Sequence, residues 1–214
     1  MDSTLHPAAM APIWTMGAML RASALRFGDA DAIVFPDRRL TYRALGQGAR
    51  RWSKALIAMG VQPGQHVGIL LPTCPEFMEV FFGAVMTGAV AVPVNARYQA
   101  NELRYLVKDA DLVVLITTGR MTDTLNFGDR LVAALPSLAQ ARDPAALQLD
   151  EAPMLRAVIS LESQCPAYLL SAPAALALGD ETADTEIERC IDAVEPQDTA
   201  MILYTSGTTS QPKV

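Results

Sequence analysis

Between residues 40 and 118, apolar runs of strand length alternate with stretches of helical periodicity, and no other feature of the sequence limits the fold as tightly. The runs are HVGILL (66–71), AVAVPV (89–94) and LVVLITT (112–118). A run apolar at nearly every position belongs to a strand covered on both faces. Successive strands joined through a helix run parallel and cross over right-handed. The expected fold class is therefore α/β, a mainly parallel sheet flanked by helices on both faces. A hydrophobic content of 51% supplies the core such a sheet needs.

Local signals set the expected elements. Residues 13–27 read as an amphipathic helix that stops at Gly28. AIVF (32–35) and LTY (40–42) read as two short strands joined by a PDRR turn. Thr41 is placed to N-cap a helix over 42–59, with Leu45, Ala49, Trp52 and Leu56 on one face and Gly60 as its stop. Thr73 and Glu76 have capping-box spacing, and Pro75 suits the first turn of a helix that runs to Gly88. Asn101 is the expected cap of ELRYLVKDA. Residues 119–139 have looser helical character, and AVISLE (157–162) is a further strand. Residues 163–195 have weak periodicity and are expected to hold loop and one short helix. TAMILY (199–204) is a last strand that leads straight into a polar loop. The chain thus divides into 1–195 and a strand-and-loop segment, 196–214, that opens a further subdomain.

Composition narrows the partners. The net charge of −6 argues against a nucleic-acid backbone or an anionic membrane surface, though not against a local phosphate pocket. Three cysteines, Cys74, Cys165 and Cys190, fit no metal spacing and read as reduced thiols of a cytoplasmic protein. There is no signal-peptide pattern and no run long enough to span a membrane. Two histidines, His6 and His66, leave little scope for His-based chemistry.

The chemistry concentrates in Thr205-Ser206-Gly207-Thr208-Thr209-Ser210-Gln211-Pro212-Lys213. Hydroxyls and backbone N–H groups donate to phosphate oxygens, glycine lets the backbone approach them, and lysine adds a compact positive charge. The loop follows an apolar strand, and the carboxyl end of a strand is where α/β sheets bind ligands. It is not a Walker A loop, because Pro212 precedes the lysine and Val214 follows it. A polar surface loop would have the same composition. Gly46 and Gly48 fall inside a helix, so no dinucleotide fingerprint is present.

The stretch Ile202-Leu203-Tyr204-Thr205-Ser206-Gly207-Thr208-Thr209-x-x-Pro212-Lys213 resembles the signature of the adenylate-forming, AMP-binding superfamily, in its acyl-CoA synthetase branch. The likeness extends backwards through Arg39-Leu40-Thr41-Tyr42-x-x-Leu45, Gly60-Val61-x-Pro63-Gly64-x-x-Val67, Pro72-x-x-Pro75-Glu76-Phe77, Gly83-x-x-x-x-Gly88-Ala89-Val90-x-x-Pro93-x-Asn95 and Glu102-Leu103-x-Tyr105. Residues 120–195 match poorly. The resemblance implies the N-terminal subdomain of that enzyme fold and a two-step reaction. A carboxylate, fatty or aromatic, attacks the α-phosphate of ATP to give an acyl-adenylate and pyrophosphate, and coenzyme A then takes the acyl group. Thr205, Ser206, Gly207, Thr208, Thr209, Ser210 and Lys213 would wrap the β- and γ-phosphates, with Mg²⁺ bridging phosphate oxygens.

Two departures from the pattern matter. Ser210 stands where the family usually has glycine; a Cβ there resists positive φ and is expected to strain or redirect the loop by about 1–2 kcal/mol. The family's Mg²⁺-holding acid, ribose-binding aspartate and catalytic lysine have no counterparts among these residues, so the chain alone is expected to lack adenylation activity. Surface left uncovered is expected to drive self-association, a homodimer included. Two other readings remain: the adenylation module of a peptide synthetase, and a non-catalytic fragment that folds and associates. His66, Cys74, Trp52 and the Phe77/Phe81/Phe82 group read as structural, Arg38-Arg39 and Arg50-Arg51 as solvated charges, and Asn95, Arg97 and Tyr98 as lesser ligand candidates.

Overall fold

In the computed structural model, which describes residues 15–119 and 126–205, a hairpin of β1 (Asp31–Val34) and β2 (Arg39–Thr41) precedes a five-stranded sheet. The sheet consists of β3 (His66–Leu70), β4 (Val90–Pro93), β5 (Leu112–Thr117), β6 (Ala157–Ser160) and β7 (Leu170–Ser171). Every pairing in it is parallel, and the spatial order is β4-β3-β5-β6-β7. The helices are α1 (Met16–Arg26), α2 (Tyr42–Ala58), α3 (Pro75–Met86), α4 (Ala100–Asp109), α5 (Phe127–Ala134), α6 (Ala172–Leu178) and α7 (Asp184–Ala193), with a 3₁₀ turn at Pro136–Gln140.

The order reverses at β3. The chain steps outward to β4, returns across β3 to β5, and continues to β6 and β7. One face of the sheet packs against α1, α2, α3, α6 and α7 through Leu56, Val80, Phe81 and Ile187. The other packs against α4 and α5 through Leu106, Phe127 and Leu131. Helices on both faces follow from strands such as Leu112–Thr117, whose six residues are all buried.

The α2–α3 contact is the tightest in the fold. A Cβ on Gly83 would lie 2.5 Å from the Trp52 Cβ, so only glycine allows this approach. The buried Ser53 hydroxyl lies 2.9 Å from the Gly83 carbonyl and 3.1 Å from that of Ala49, which closes the contact. The Thr41 side chain caps α2 by accepting from the Ala44 N–H at 3.2 Å, as expected. Gly60 and Gly88, at φ +73° and +80°, take the left-handed conformation just past α2 and α3.

Several expectations need correction. Cys74, not Thr73, occupies the N-cap of α3 and makes no side-chain cap bond; Glu76 turns instead to Arg38. Asn101 lies inside α4. The helix begins one residue earlier, and Glu102 accepts from the Gln99 N–H at 2.8 Å, so the acidic residue defines the cap. Residues 163–195 are more ordered than expected, with β7, α6 and α7. Helix α6 is alanine-rich and α7 buries only Ile187 and Ile191 on an acidic body, so neither carries a strong apolar stripe. TAMILY forms no full strand. It contributes one parallel bridge, Met201 to Ala91, on the open side of β4. The helical stretch expected over 119–139 shortens to Phe127–Ala134 and the 3₁₀ turn, with 120–125 outside the described residues.

Candidate functional site

Because all five strands are parallel, their carboxyl ends share one edge, where ligand sites of α/β sheets form. The bridge at Met201 runs in the same direction. The Ala91 N–H donates to the Ala200 carbonyl at 2.9 Å, and the Ile202 N–H donates to the Ala91 carbonyl at 3.0 Å. The chain therefore leaves this contact toward the carboxyl edge and reaches Thr205, exposed, as the last described residue. Ser206, Gly207, Thr208, Thr209, Ser210 and Lys213 lie outside the described residues.

Ordering of this approach falls to tyrosines rather than to a ladder. The Tyr98 hydroxyl, from a side chain only 4% exposed just before α4, donates to the Tyr204 carbonyl at 3.4 Å. The Tyr204 hydroxyl donates to Asp109 Oδ2 at 2.7 Å, at the last residue of α4. Burial first, and then the Asp109 carboxylate, push the Tyr204 phenol up. Sequence reasoning treated Tyr98 as a lesser ligand candidate and missed Asp109 altogether. Nothing local in ELRYLVKDA marks Asp109 as a partner of a position far along the chain.

A second feature of the carboxyl edge lies at the order reversal, between β3 and β5. A cleft of about 860 Å³ is lined there by Arg38, Arg51, Glu76, Glu79, Gly119 and Glu162, among others. Glu162 follows β6 and binds the end of β5, accepting from the Thr118 hydroxyl at 2.5 Å, from the Gly119 N–H at 2.9 Å and from Ser160. Burial pushes its carboxyl up, but these donors outweigh burial and hold it below the usual carboxylate range. With its oxygens so occupied, Glu162 acts as a strut between strand ends. Glu79 is 8% exposed, and its nearest cation is Arg38 at 3.9 Å. Burial, then the charge of Glu76, pushes its carboxyl up.

The remaining candidates are structural. His66 Nδ1 lies 2.5 Å from the Ala110 carbonyl and ties β3 to the turn before β5. Asn95 closes its own turn by accepting from the Arg97 N–H at 2.9 Å. Trp52, Phe81 and Phe82 are core, with Phe77 packed against them. Burial pushes the Cys74 thiol up, away from nucleophilic character, and the three cysteines are unpaired. Arg38, Arg39 and Arg50 are not simply solvated: they pair with Glu76, Asp31 and Glu188 respectively. Among the described residues, no group of three or more histidine, cysteine or acidic side chains is arranged to hold a metal ion. No described helix is long and apolar enough to cross a membrane.

Known proteins share both the sequence pattern and the fold of this chain. The Bacillus subtilis protein YngI, which carries an acyl-CoA synthetase name, is 32% identical over 201 residues, covering 93% of this chain and 36% of its own length. A linear gramicidin synthase of Brevibacillus parabrevis is 34% identical over 116 residues, covering 54% of this chain and 2% of its own. The crystal structure of the anthranilate CoA ligase AuaEII in complex with anthranoyl-AMP superposes with a TM-score of 0.66 at 23% identity, over 94% of this chain and 34% of the other, and shows the shared fold. Relatives matched along nearly all of this chain are about three times as long, the chain spanning 36%, 35% and 32% of three of them. The model of the AMP-binding enzyme family matches residues 20–214. With that match over nearly its whole length and the parallel sheet those proteins share, the chain belongs to the AMP-binding enzyme family.

Proposed function

We propose that the whole protein activates a carboxylic acid, fatty or aromatic, with ATP to an acyl-adenylate and passes the acyl group to coenzyme A. In this reading residues 1–195 form the first subdomain of the adenylating domain, and 196–214 open the next. The observation that supports it is the parallel Met201–Ala91 bridge, from which residues 201–205 run toward the carboxyl edge of the sheet. Thr205, Ser206, Gly207, Thr208, Thr209 and Ser210 would donate to the β- and γ-phosphates. Lys213 would offset charge on the departing pyrophosphate. Catalysis of this kind consists mostly of positioning and charge stabilisation. Bound Mg²⁺ would add neutralisation of phosphate charge. The names of YngI and of the anthranilate ligase support an acid and a CoA thiol.

Calorimetry of ATP with this chain, beside its Ser210→Gly variant, tests the loop. Tighter binding by the variant supports a formed loop that Ser210 weakens. Absence of binding by both removes the phosphate role from this chain by itself, in which case it is a folding scaffold. Acid-dependent pyrophosphate exchange by the chain alone would overturn the expectation that it lacks adenylation activity. The likeness to gramicidin synthase favours a second reading, the adenylation module of a peptide synthetase. Acyl transfer by the whole protein to a phosphopantetheine-bearing carrier rather than to free coenzyme A would select it.

A further inference from the structure

Tyr204 stands immediately before the motif and is held twice, from just ahead of α4 and from the last residue of that helix. At its carbonyl it accepts from the Tyr98 hydroxyl, just ahead of α4. At its phenol it donates at 2.7 Å to Asp109, the last residue of α4. The approach itself is shallowly buried. Met201 and Leu203 are 40% and 53% exposed, and Ile202 and Tyr204 are only partly buried against the core. Among the described residues, its backbone contact with the sheet is the pair of bonds to Ala91. Helix α4 is itself well fixed. Leu103, Leu106 and Val107 are buried in the core, and Glu102 closes its first turn. A well-packed ten-residue helix, through Asp109, and Tyr98 just ahead of it thus both reach Tyr204.

We infer that Asp109 is a positioning residue for the phosphate-binding motif: through Tyr204 it sets where the chain leaves the sheet and how Thr205 enters the loop. The mechanism is a charge-assisted hydrogen bond between elements nearly a hundred residues apart in sequence, made to a helix that packing holds in place. Tyr105, on the same helix, also feels Asp109; hydrogen bonding and charge from that carboxylate push its phenol up. It shares the Asp109 acceptor, so the anchor is tested at Asp109 and Tyr204 themselves. The consequence for nucleotide binding rests on the function proposed above, whereas the anchoring of residues 201–205 does not.

Two readouts keep those apart. The first is amide hydrogen exchange by mass spectrometry on the 214-residue chain and its Asp109→Asn and Tyr204→Phe variants. Exchange over residues 201–205 is expected to rise about tenfold in both, the scale of one charge-assisted hydrogen bond. It should stay unchanged in β3 and β5. Unaltered exchange over 201–205, or a rise spread equally over the sheet, overturns the inference. The second readout is ATP against AMP affinity by calorimetry. A loss confined to ATP, which alone carries β- and γ-phosphates, supports positioning of the loop. Equal losses for both nucleotides overturn the positioning role in favour of general destabilisation. If exchange responds as expected while even the parent chain binds no ATP, the anchor stands and the phosphate-loop reading of this chain fails.

Discussion

The α2–α3 contact and the segment 199–205 lie at opposite ends of a range within one fold. At the first, Gly83 admits Trp52 so closely that no larger residue fits, and Ser53 satisfies the backbone carbonyls there. At the second, the Met201–Ala91 bridge and the hydroxyls of Tyr98 and Tyr204 are among the contacts that hold a largely exposed strand end. Close packing concentrates stability at the helix contact. Residues 201–205 have far less buried surface, the character of segments with low local stability.

Substitutions should expose this gradient. Trp52→Ala at the helix contact is expected to cost about 3–5 kcal/mol, read as a lowered urea midpoint with unchanged slope. Gly83→Ala should cost about 1–3 kcal/mol in the same measurement, because its Cβ meets Trp52 and the Ala49 carbonyl, which backbone packing holds in place. A Gly83→Ala chain as stable as the parent would show that the two helices can separate freely and would remove the contrast.

The two glutamates of the reversal cleft should answer pH with opposite signs. Glu162→Gln forfeits charge-assisted acceptance from Thr118 and Gly119 and should cost about 1–2 kcal/mol at neutral pH. Its folded pKa lies below the unfolded value, so its stabilisation is present above the unfolded value, about 4.3, and is lost as pH falls through the folded one. Glu79 is raised, so the folded state holds its proton more firmly and stability rises as pH falls through that pKa. Glu79→Gln should therefore melt higher than the parent at neutral pH, with the gap closing in acid; a lower melting temperature at neutral pH would show that the Arg38 contact outweighs burial. The smallest effect belongs to the edge: Leu203→Ser should change stability by no more than about 0.5 kcal/mol, and a cooperative loss would mean the segment is more tightly integrated than its exposure implies.

Much of the fold was legible because local rules and tertiary packing agreed. Thr41 caps α2, Gly60 and Gly88 follow their helices in the left-handed conformation, and the apolar runs at 66–71, 89–94 and 112–118 are three neighbouring strands of the sheet. Where signals competed, the reading failed. Thr73 and Asn101 are good caps by residue type, yet Glu76 was drawn to Arg38 and Glu102 fixed the helix start at Gln99. Helix α7 escaped notice because its buried stripe is only Ile187 and Ile191, and its charged residues find partners remote in sequence: Glu188 meets Arg21 and Arg50, and Asp184 meets Lys54.

By itself the sequence determined the strand–helix alternation, the parallel sheet with helices on both faces, and the family signature around Thr205, because period, turn residues and a long motif are local properties of the chain. The tertiary structure alone decided the strand order with its reversal at β3, the locking of the β5 and β6 ends by Glu162, and the clasp of Asp109 and Tyr98 on Tyr204. Each of these joins groups far apart along the chain, and no local pattern encodes which distant partner will lie within hydrogen-bonding reach once the core has closed.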